Sequence, residues 1–415
     1  MTEIVRTSIY KNLFLGLMIA YLASSLSPWW NLMPPLAILL FFTSGFNHHL
    51  KTSLQQLKSF QGAILIFSSL FFVGLLGMTY TTNKVDGWLD VILKSSLLLF
   101  PLTFAIFPKH LLQKQDVNRI LNIYVIMVFG SSIYCFLNAL IAYGGSAELS
   151  VFYYSQLSFF QHPSYFGLFI NLALLIILNK WIQAKEGYGR KLKLTLYIMI
   201  PWMIVFLFLL QSKAALISLF IIIIFLFCCL ILQKKLKKAF LFLVLIILTT
   251  AISSLVVPNS LVRFKSASNA LNTETQSSNK KESTAARITL WSLASETILE
   301  GPIWGTGTGD VEQVYNDKLL LKGFIEPGEQ AYNSHSQFLQ TTMKLGVFGA
   351  LALVLSLAYP LWQGYKKQNL VYVGMVLIMI FNLMVESMFE RQAGLMFFAF
   401  FNSFLFFFSP EKEKK

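Results

Sequence analysis

The chain is 415 residues long, 56% apolar, 15% aromatic and only 13% charged, a composition too poor in polar surface to close a soluble globular domain. Its net charge of +14 does not mark a nucleic-acid-binding protein, because Lys and Arg are spread through the short gaps between apolar runs. The three cysteines, Cys135, Cys228 and Cys229, sit inside apolar runs without C-x-x-C spacing, which argues against a thiolate metal centre and reads as buried apolar side chains.

Apolar runs of about 20 residues match the thickness of a bilayer. They predict an all-α, polytopic membrane helical bundle with spans at 10–26, 29–46, 60–79, 88–107, 119–143, 161–183, 194–211, 213–232, 238–257, 337–362, 369–386 and 391–409. The first run is expected to serve as an uncleaved anchor. About twelve spans is an even number, so both termini share a side. The basic connections, among them Arg6/Lys11, Lys109/Lys114/Arg119 and Lys234/Lys235/Lys237/Lys238, fall on alternate gaps. The positive-inside rule makes those gaps and both termini cytoplasmic, as in a bacterial inner-membrane protein.

The opposite gaps are poor in cations, so the long segment 258–336 is expected in the periplasm, dividing the chain into 1–257, 258–336 and 337–415. Within the loop, a Ser/Asn/Thr/Lys-rich stretch at 265–283 reads as mobile. A short amphipathic helix follows at about 284–300, with Ile288, Trp291, Ala294 and Ile298 repeating at helical spacing and Gly301-Pro302 as its stop.

Ionisable groups within spans are costly and therefore informative. Asp90 and Lys94, four residues apart, are placed to pair on one helix face. Lys344 lies about two turns inside the tenth span, Lys213 in the turn between the seventh and eighth, and Glu386, Glu390 and Arg391 around the turn between the last two. All are expected at the periplasmic end, under the loop. The simplest reading of Glu386, Glu390 and Arg391 is a local arrangement that fixes that turn.

Ser334 and Gln337 fit an S-x-x-Q capping box, which predicts His335 in the first turn of the tenth helix. A neutral imidazole there is a candidate general base; the alternative is an interfacial histidine with a local hydrogen bond. Arg287 opens the loop helix, where its guanidinium and free backbone N–H groups can meet one anion, with phosphate oxygens the obvious choice; the alternative is a surface pair with Glu282 or Glu296. Lys213 is a candidate second cation for a diphosphate, or a lysine snorkelling to the interface. His162, beside Pro163 at the start of the sixth span, is a lesser candidate that helix initiation already explains; Lys94, Lys344 and Arg391 rank with it. The run Gly305-Thr306-Gly307-Thr308-Gly309 follows no strand and opens no obvious helix, so it reads as a backbone turn and not as a nucleotide loop. Asp310 and Asp317 form no metal-ligand cluster, and no metal or cofactor is expected.

Several motifs occur in a telling order: Ala286-Arg287-Ile288-Thr289-Leu290-Trp291, the Gly-Pro-Ile-Trp-Gly-Thr-Gly-Thr-Gly run at 301–309, then His335 shortly before Lys344-Leu345-Gly346-Val347-Phe348-Gly349. Together with the large loop before the tenth span, they resemble the O-antigen ligase and O-antigen polymerase superfamily. The resemblance implies a glycan donor on undecaprenyl diphosphate, an acceptor hydroxyl on the lipid A core or another glycan, and transfer without nucleotide or metal at the periplasmic face. It makes His335 the base for the acceptor hydroxyl and Arg287 a diphosphate ligand, with Lys213 where the family is expected to carry arginine. Ser336 stands where the family often has asparagine. An O-antigen or exopolysaccharide polymerase, a protein O-oligosaccharyltransferase and a polysaccharide transporter are the rival readings. No internal repeat of the kind transporters carry is visible.

Overall fold

A computed structural model describes residues 3–45, 50–184, 195–244, 284–324 and 332–408. The 265–283 stretch, Glu282 and the far half of the expected 238–257 span lie outside them. Among the described residues every regular element is helical. In chain order they are α1 (Glu3–Ser25), α2 (Met33–Gly45), α3 (Leu50–Phe67), α4 (Ser69–Gly77), α5 (Lys84–Lys94), α6 (Ser96–Ile106), α7 (Lys114–Ser146), α8 (Pro163–Gln183), α9 (Ile200–Leu209), α10 (Lys213–Leu232), α11 (Thr284–Glu300), α12 (Val311–Leu321), α13 (Gln337–Lys366), α14 (Leu370–Val385) and α15 (Gln392–Phe408). Short 3-10 turns, a π-helical stretch at Thr195–Met199 and one four-residue helical turn join some of them, and residues 236–244 are also helical.

This is a multi-pass membrane bundle. Among the described residues five helical stretches are long and apolar enough to cross a bilayer: Lys84–Ile106, α7, α8, α10 and α13. A sixth is the pair α3 and α4, bent by 57°; α2, α14, α15 and the stretch Tyr197–Leu209 are apolar but shorter. Large apolar side chains such as Phe42, Leu65, Ile141, Ile224 and Leu351 point outward, as lipid contact requires and water does not favour. Cys135 is buried as expected, but Cys228 is exposed and Cys229 half-exposed on α10, because that helix turns this face out of the bundle.

Inside, α8 is enclosed by its neighbours along most of its length. Gly167 lets it approach α10, since a Cβ there would fall 2.2 Å from Ala215 Cβ. Phenylalanines hold α6 to α15: Phe104 meets Phe400 and Phe408 edge-on at 5.6 Å, a favourable aromatic geometry.

The feature that shapes one end of the bundle is a break in α13. Gly346 has φ 58° and ψ −151°, a conformation essentially confined to glycine. The glycine-rich loop 303–309 fills the break. Thr306 N–H donates to the Met343 carbonyl at 2.9 Å, Gly307 N–H to the Lys344 carbonyl at 3.0 Å, and Val347 N–H to the Ile303 carbonyl at 3.0 Å. Helical groups freed by the break thus regain partners, the condition for irregular backbone at membrane depth. The approach is close enough that a Cβ on Gly346 would lie 2.0 Å from the Ile303 carbonyl oxygen. The expected turn at 305–309 is therefore present, and it plugs a helix.

The same loop anchors α5. Asp310 accepts from the backbone N–H of Thr82 at 2.8 Å and of Asn83 at 2.7 Å, and from the Thr82 hydroxyl at 2.9 Å. Burial works against its charge, but these donors hold its carboxyl below the usual range. Over the break, α11 and α12 pack through Leu290, Leu293, Ala294, Val311, Tyr315 and Leu319 against Met343. Of the expected stripe, Ala294 is buried and Ile298 packs against this cluster, while Leu290 and Leu293 join it where Ile288 and Trp291 were expected. Ile288 and Trp291 are only partly covered, because the helix turns that edge toward the site described next.

Candidate functional site

His335 does not enter the helix. α13 starts at Gln337 after Ser336, which makes no side-chain cap. Ser334 Oγ instead donates to the Ser336 carbonyl at 2.9 Å and to Gln340 Oε1 at 3.1 Å, so the expected Ser334–Gln337 capping box is absent. Gln337 is drawn away: its amide donates to Glu390 at 2.8 Å and Thr341 at 3.0 Å, and its oxygen accepts from Phe389 N–H at 2.6 Å. His335 sits ahead of the helix with φ 46°, a left-handed geometry that histidine tolerates better than most residues. Its N–H bonds Asn333 Oδ1 at 2.9 Å, and its carbonyl accepts from the Trp291 indole at 3.4 Å.

Its ring is held by a carboxylate. His335 Nδ1 lies 3.1 Å from Glu386 Oε2, and Glu386 Oε1 accepts from Arg287 Nη2 at 2.5 Å. Arg287 Nη1 also donates to the Val385 carbonyl at 3.0 Å. Arg287 therefore pairs with Glu386, and neither of the partners considered from sequence is needed; Glu296 pairs instead with Lys318 and Lys322. Arg287 and His335 remain about a quarter exposed while Glu386 is 13% exposed, so the carboxylate that joins them is the most enclosed of the three.

Beneath this trio four more charges are enclosed. Lys94 pairs with Asp90 on α5, the i,i+4 pair expected from sequence. Lys344 Nζ reaches Asp90 Oδ1 at 2.8 Å and Glu390 Oε2 at 2.5 Å, while Lys94 Nζ lies 3.8 Å from Glu390 Oε1. The acidic residues of the last turn thus reach away from one another, Glu386 to the loop helix and Glu390 to α13. The local arrangement with Arg391 does not form, and Arg391 is exposed.

Lys213 is the first residue of α10, after the cap Ser212. Ser212 Oγ is 3.4 Å from Ser164 Oγ at the start of α8, whose N-cap is His162. Ser218 of α10 accepts from Asn382 on the last turn of α14, just ahead of Glu386. Lys213 and His162 therefore stand at the same end of the bundle as Arg287, Glu386 and His335. Glu386, Gln337 and Trp291 were given other roles by the sequence, as a residue fixing the last turn, a capping partner and a member of the loop helix's apolar stripe, and the structure brings all three to this site. Among the described residues no cluster of His, Cys, Asp and Glu suited to a metal occurs.

Comparison with known proteins bears on this region. The family profile described as O-Antigen ligase matches residues 198–354, a stretch that contains Lys213, Arg287, the glycine-rich loop, His335 and the break at Gly346. An uncharacterised protein of Haemophilus influenzae is 25% identical over 107 residues, 26% of this chain. The match spans only 27% of that relative's length.

Proposed function

Because residues 198–354 place this chain in the O-antigen ligase superfamily, we propose that it transfers a glycan from undecaprenyl diphosphate to a sugar hydroxyl of the lipid A core at the periplasmic face of the bacterial inner membrane. The observation that carries this reading is the Arg287–Glu386–His335 chain of contacts at one end of a membrane bundle.

The chemistry asks for two things. A base must take the proton of the incoming hydroxyl, and positive charge must meet the leaving diphosphate. Glu386 occupies Nδ1 of His335, which directs Nε2 to the acceptor, and its carboxylate stabilises the imidazolium formed as the proton arrives. The new bond joins the acceptor oxygen to the anomeric carbon. The bond from that carbon to the diphosphate breaks, and the electron pair leaves with the undecaprenyl diphosphate. Arg287 binds the departing phosphate through donors beyond the two committed to Val385 and Glu386, in the fork geometry that guanidinium offers phosphate. Lys213, at the N-terminus of α10, adds a second cation. A single displacement of this kind inverts the anomeric centre.

Deletion in the native host, followed by gel analysis of lipopolysaccharide, tests the assignment. Loss of long glycan with accumulation of lipid-linked polymer is the expected result. Single-unit caps would identify a polymerase instead, and unchanged lipopolysaccharide would move the acceptor elsewhere. A His335→Ala protein that inserts normally yet still transfers glycan would remove the base assignment.

A further inference from the structure

The four charges below the site have no place in that mechanism, and their burial asks for a reason. Lys94 and Lys344 are 1% and 4% exposed and Asp90 is 8% exposed. Replacing such a group by apolar side chains of similar volume is often neutral or stabilising, so the cluster is a poor device for stability. Its connections are specific, however. Glu390 closes the 3-10 turn Met388–Glu390, four residues after Glu386. Lys344 holds that turn from α13 through Glu390, and Gln337 holds it through Glu390 and Phe389 N–H. Gln337 is also the first residue of the helix that His335 precedes. Lys344 is itself fixed from below, since its carbonyl accepts from Gly307 in the plug beside Gly346. Asp90, its other partner, rides on α5, which the Asp310 contacts tie to the same loop.

We propose that Lys344, clamped between Asp90 and Glu390 at the glycine-filled break of α13, is a positioning residue that sets the Glu386 carboxylate against the His335 ring. The inference rests on the transfer reading above. Lys344 touches neither member of the pair; it fixes the distance between the two chain segments that carry them. A displacement on the order of 1 Å is enough to cost about 10²-fold in rate when a catalytic group is misplaced.

The test uses membranes containing the full chain and follows release of polyprenyl diphosphate from a polyprenyl-diphosphate-linked glycan. The double variant Lys344→Met/Glu390→Gln removes the pair as a neutral unit and so spares the fold. It is expected to lower kcat by about 10²-fold while leaving the KM for the donor nearly unchanged. Gln337→Leu, which keeps all four charges and the Lys344–Glu390 pair but cuts the second tie from α13 to the turn, is the second variant and is expected to lower kcat in the same direction. Each change is then repeated in a Glu386→Gln background, where it should slow release no further, because the group it positions is already disabled. Full activity in both variants, or a loss that multiplies with Glu386→Gln, overturns the positioning role. His335→Ala separates the two levels: if that protein still releases the carrier, the base assignment for His335 fails, whatever Lys344 does.

Discussion

His335 and Glu386 are 51 positions apart in the chain, yet Nδ1 of one lies 3.1 Å from Oε2 of the other. A carboxylate on one ring nitrogen fixes the tautomer and orientation of an imidazole and leaves the second nitrogen to act. Glu386→Gln keeps the shape and removes the charge. Glycan transfer should fall on the order of 10²-fold or more, with the protein inserted at normal level on a membrane immunoblot. Wild-type transfer by Glu386→Gln would show that His335 works without it.

Arg287 is the other arm of the same carboxylate, and its role depends on geometry as well as charge. It donates through two separate nitrogens to Val385 and Glu386. Lysine keeps the charge but is a compact point donor that cannot reproduce a planar fork. Arg287→Lys should therefore lose donor use on the order of 10²-fold in kcat/KM, measured as carrier release at varied lipid-linked donor. A lysine variant that uses the donor normally would reduce Arg287 to a plain cation and remove the bidentate grip.

What the sequence made legible was whatever depends on neighbours along the chain. Apolar runs gave the helices, because lipid demands length and hydrophobicity within one segment. Asp90 and Lys94 were paired correctly because four residues make one helix face. The Arg287–Glu386 contact joins positions 99 apart, and nothing in either neighbourhood announces the other. His335 was misplaced for a related reason. The capping pattern at Ser334 and Gln337 is a local preference, and it lost to Gln340, Glu390 and Phe389, which drew those side chains into distant contacts. Likewise Lys344-Leu345-Gly346-Val347 reads as unbroken helix, and the break needs a loop some 40 residues upstream to satisfy its carbonyls.

That break gives a prediction of its own. Gly346→Ala would force a side chain into a backbone geometry reserved for glycine and set its Cβ 2.0 Å from the Ile303 oxygen. Residues held in such regions cost about 1–3 kcal/mol before any clash is counted. Gly349→Ala lies three residues on in ordinary helix and meets chiefly the Leu345 Cβ at 2.4 Å, so both variants are tight but only the first opposes the backbone. Gly346→Ala is expected to reduce the yield of inserted protein and to expose the 301–309 loop to limited proteolysis. Protease resistance equal to wild type would mean the plug does not depend on this residue.

The Asp310 clamp supplies a pH signature that can be read without any substrate. Its carboxyl sits below its ordinary value of 3.8 because backbone donors from Asn83 and Thr82 outweigh the effect of burial. A depressed carboxyl favours the folded state fully above the unfolded value, and that contribution disappears as the pH drops through the lower folded value. Asp310→Asn removes the charge and weakens hydrogen bonds of the charge-assisted class, worth about 1.5–3 kcal/mol each. The purified variant should therefore melt below wild type at neutral pH, and the gap should close as the pH is taken below 3.8, where wild type loses the same charge. Melting curves in detergent at neutral and acid pH make the comparison. A gap that stays constant, or widens in acid, would mean the Asp310 charge does not hold the loop to α5. The glycine plug would then have to be kept in place by the α13 contacts alone.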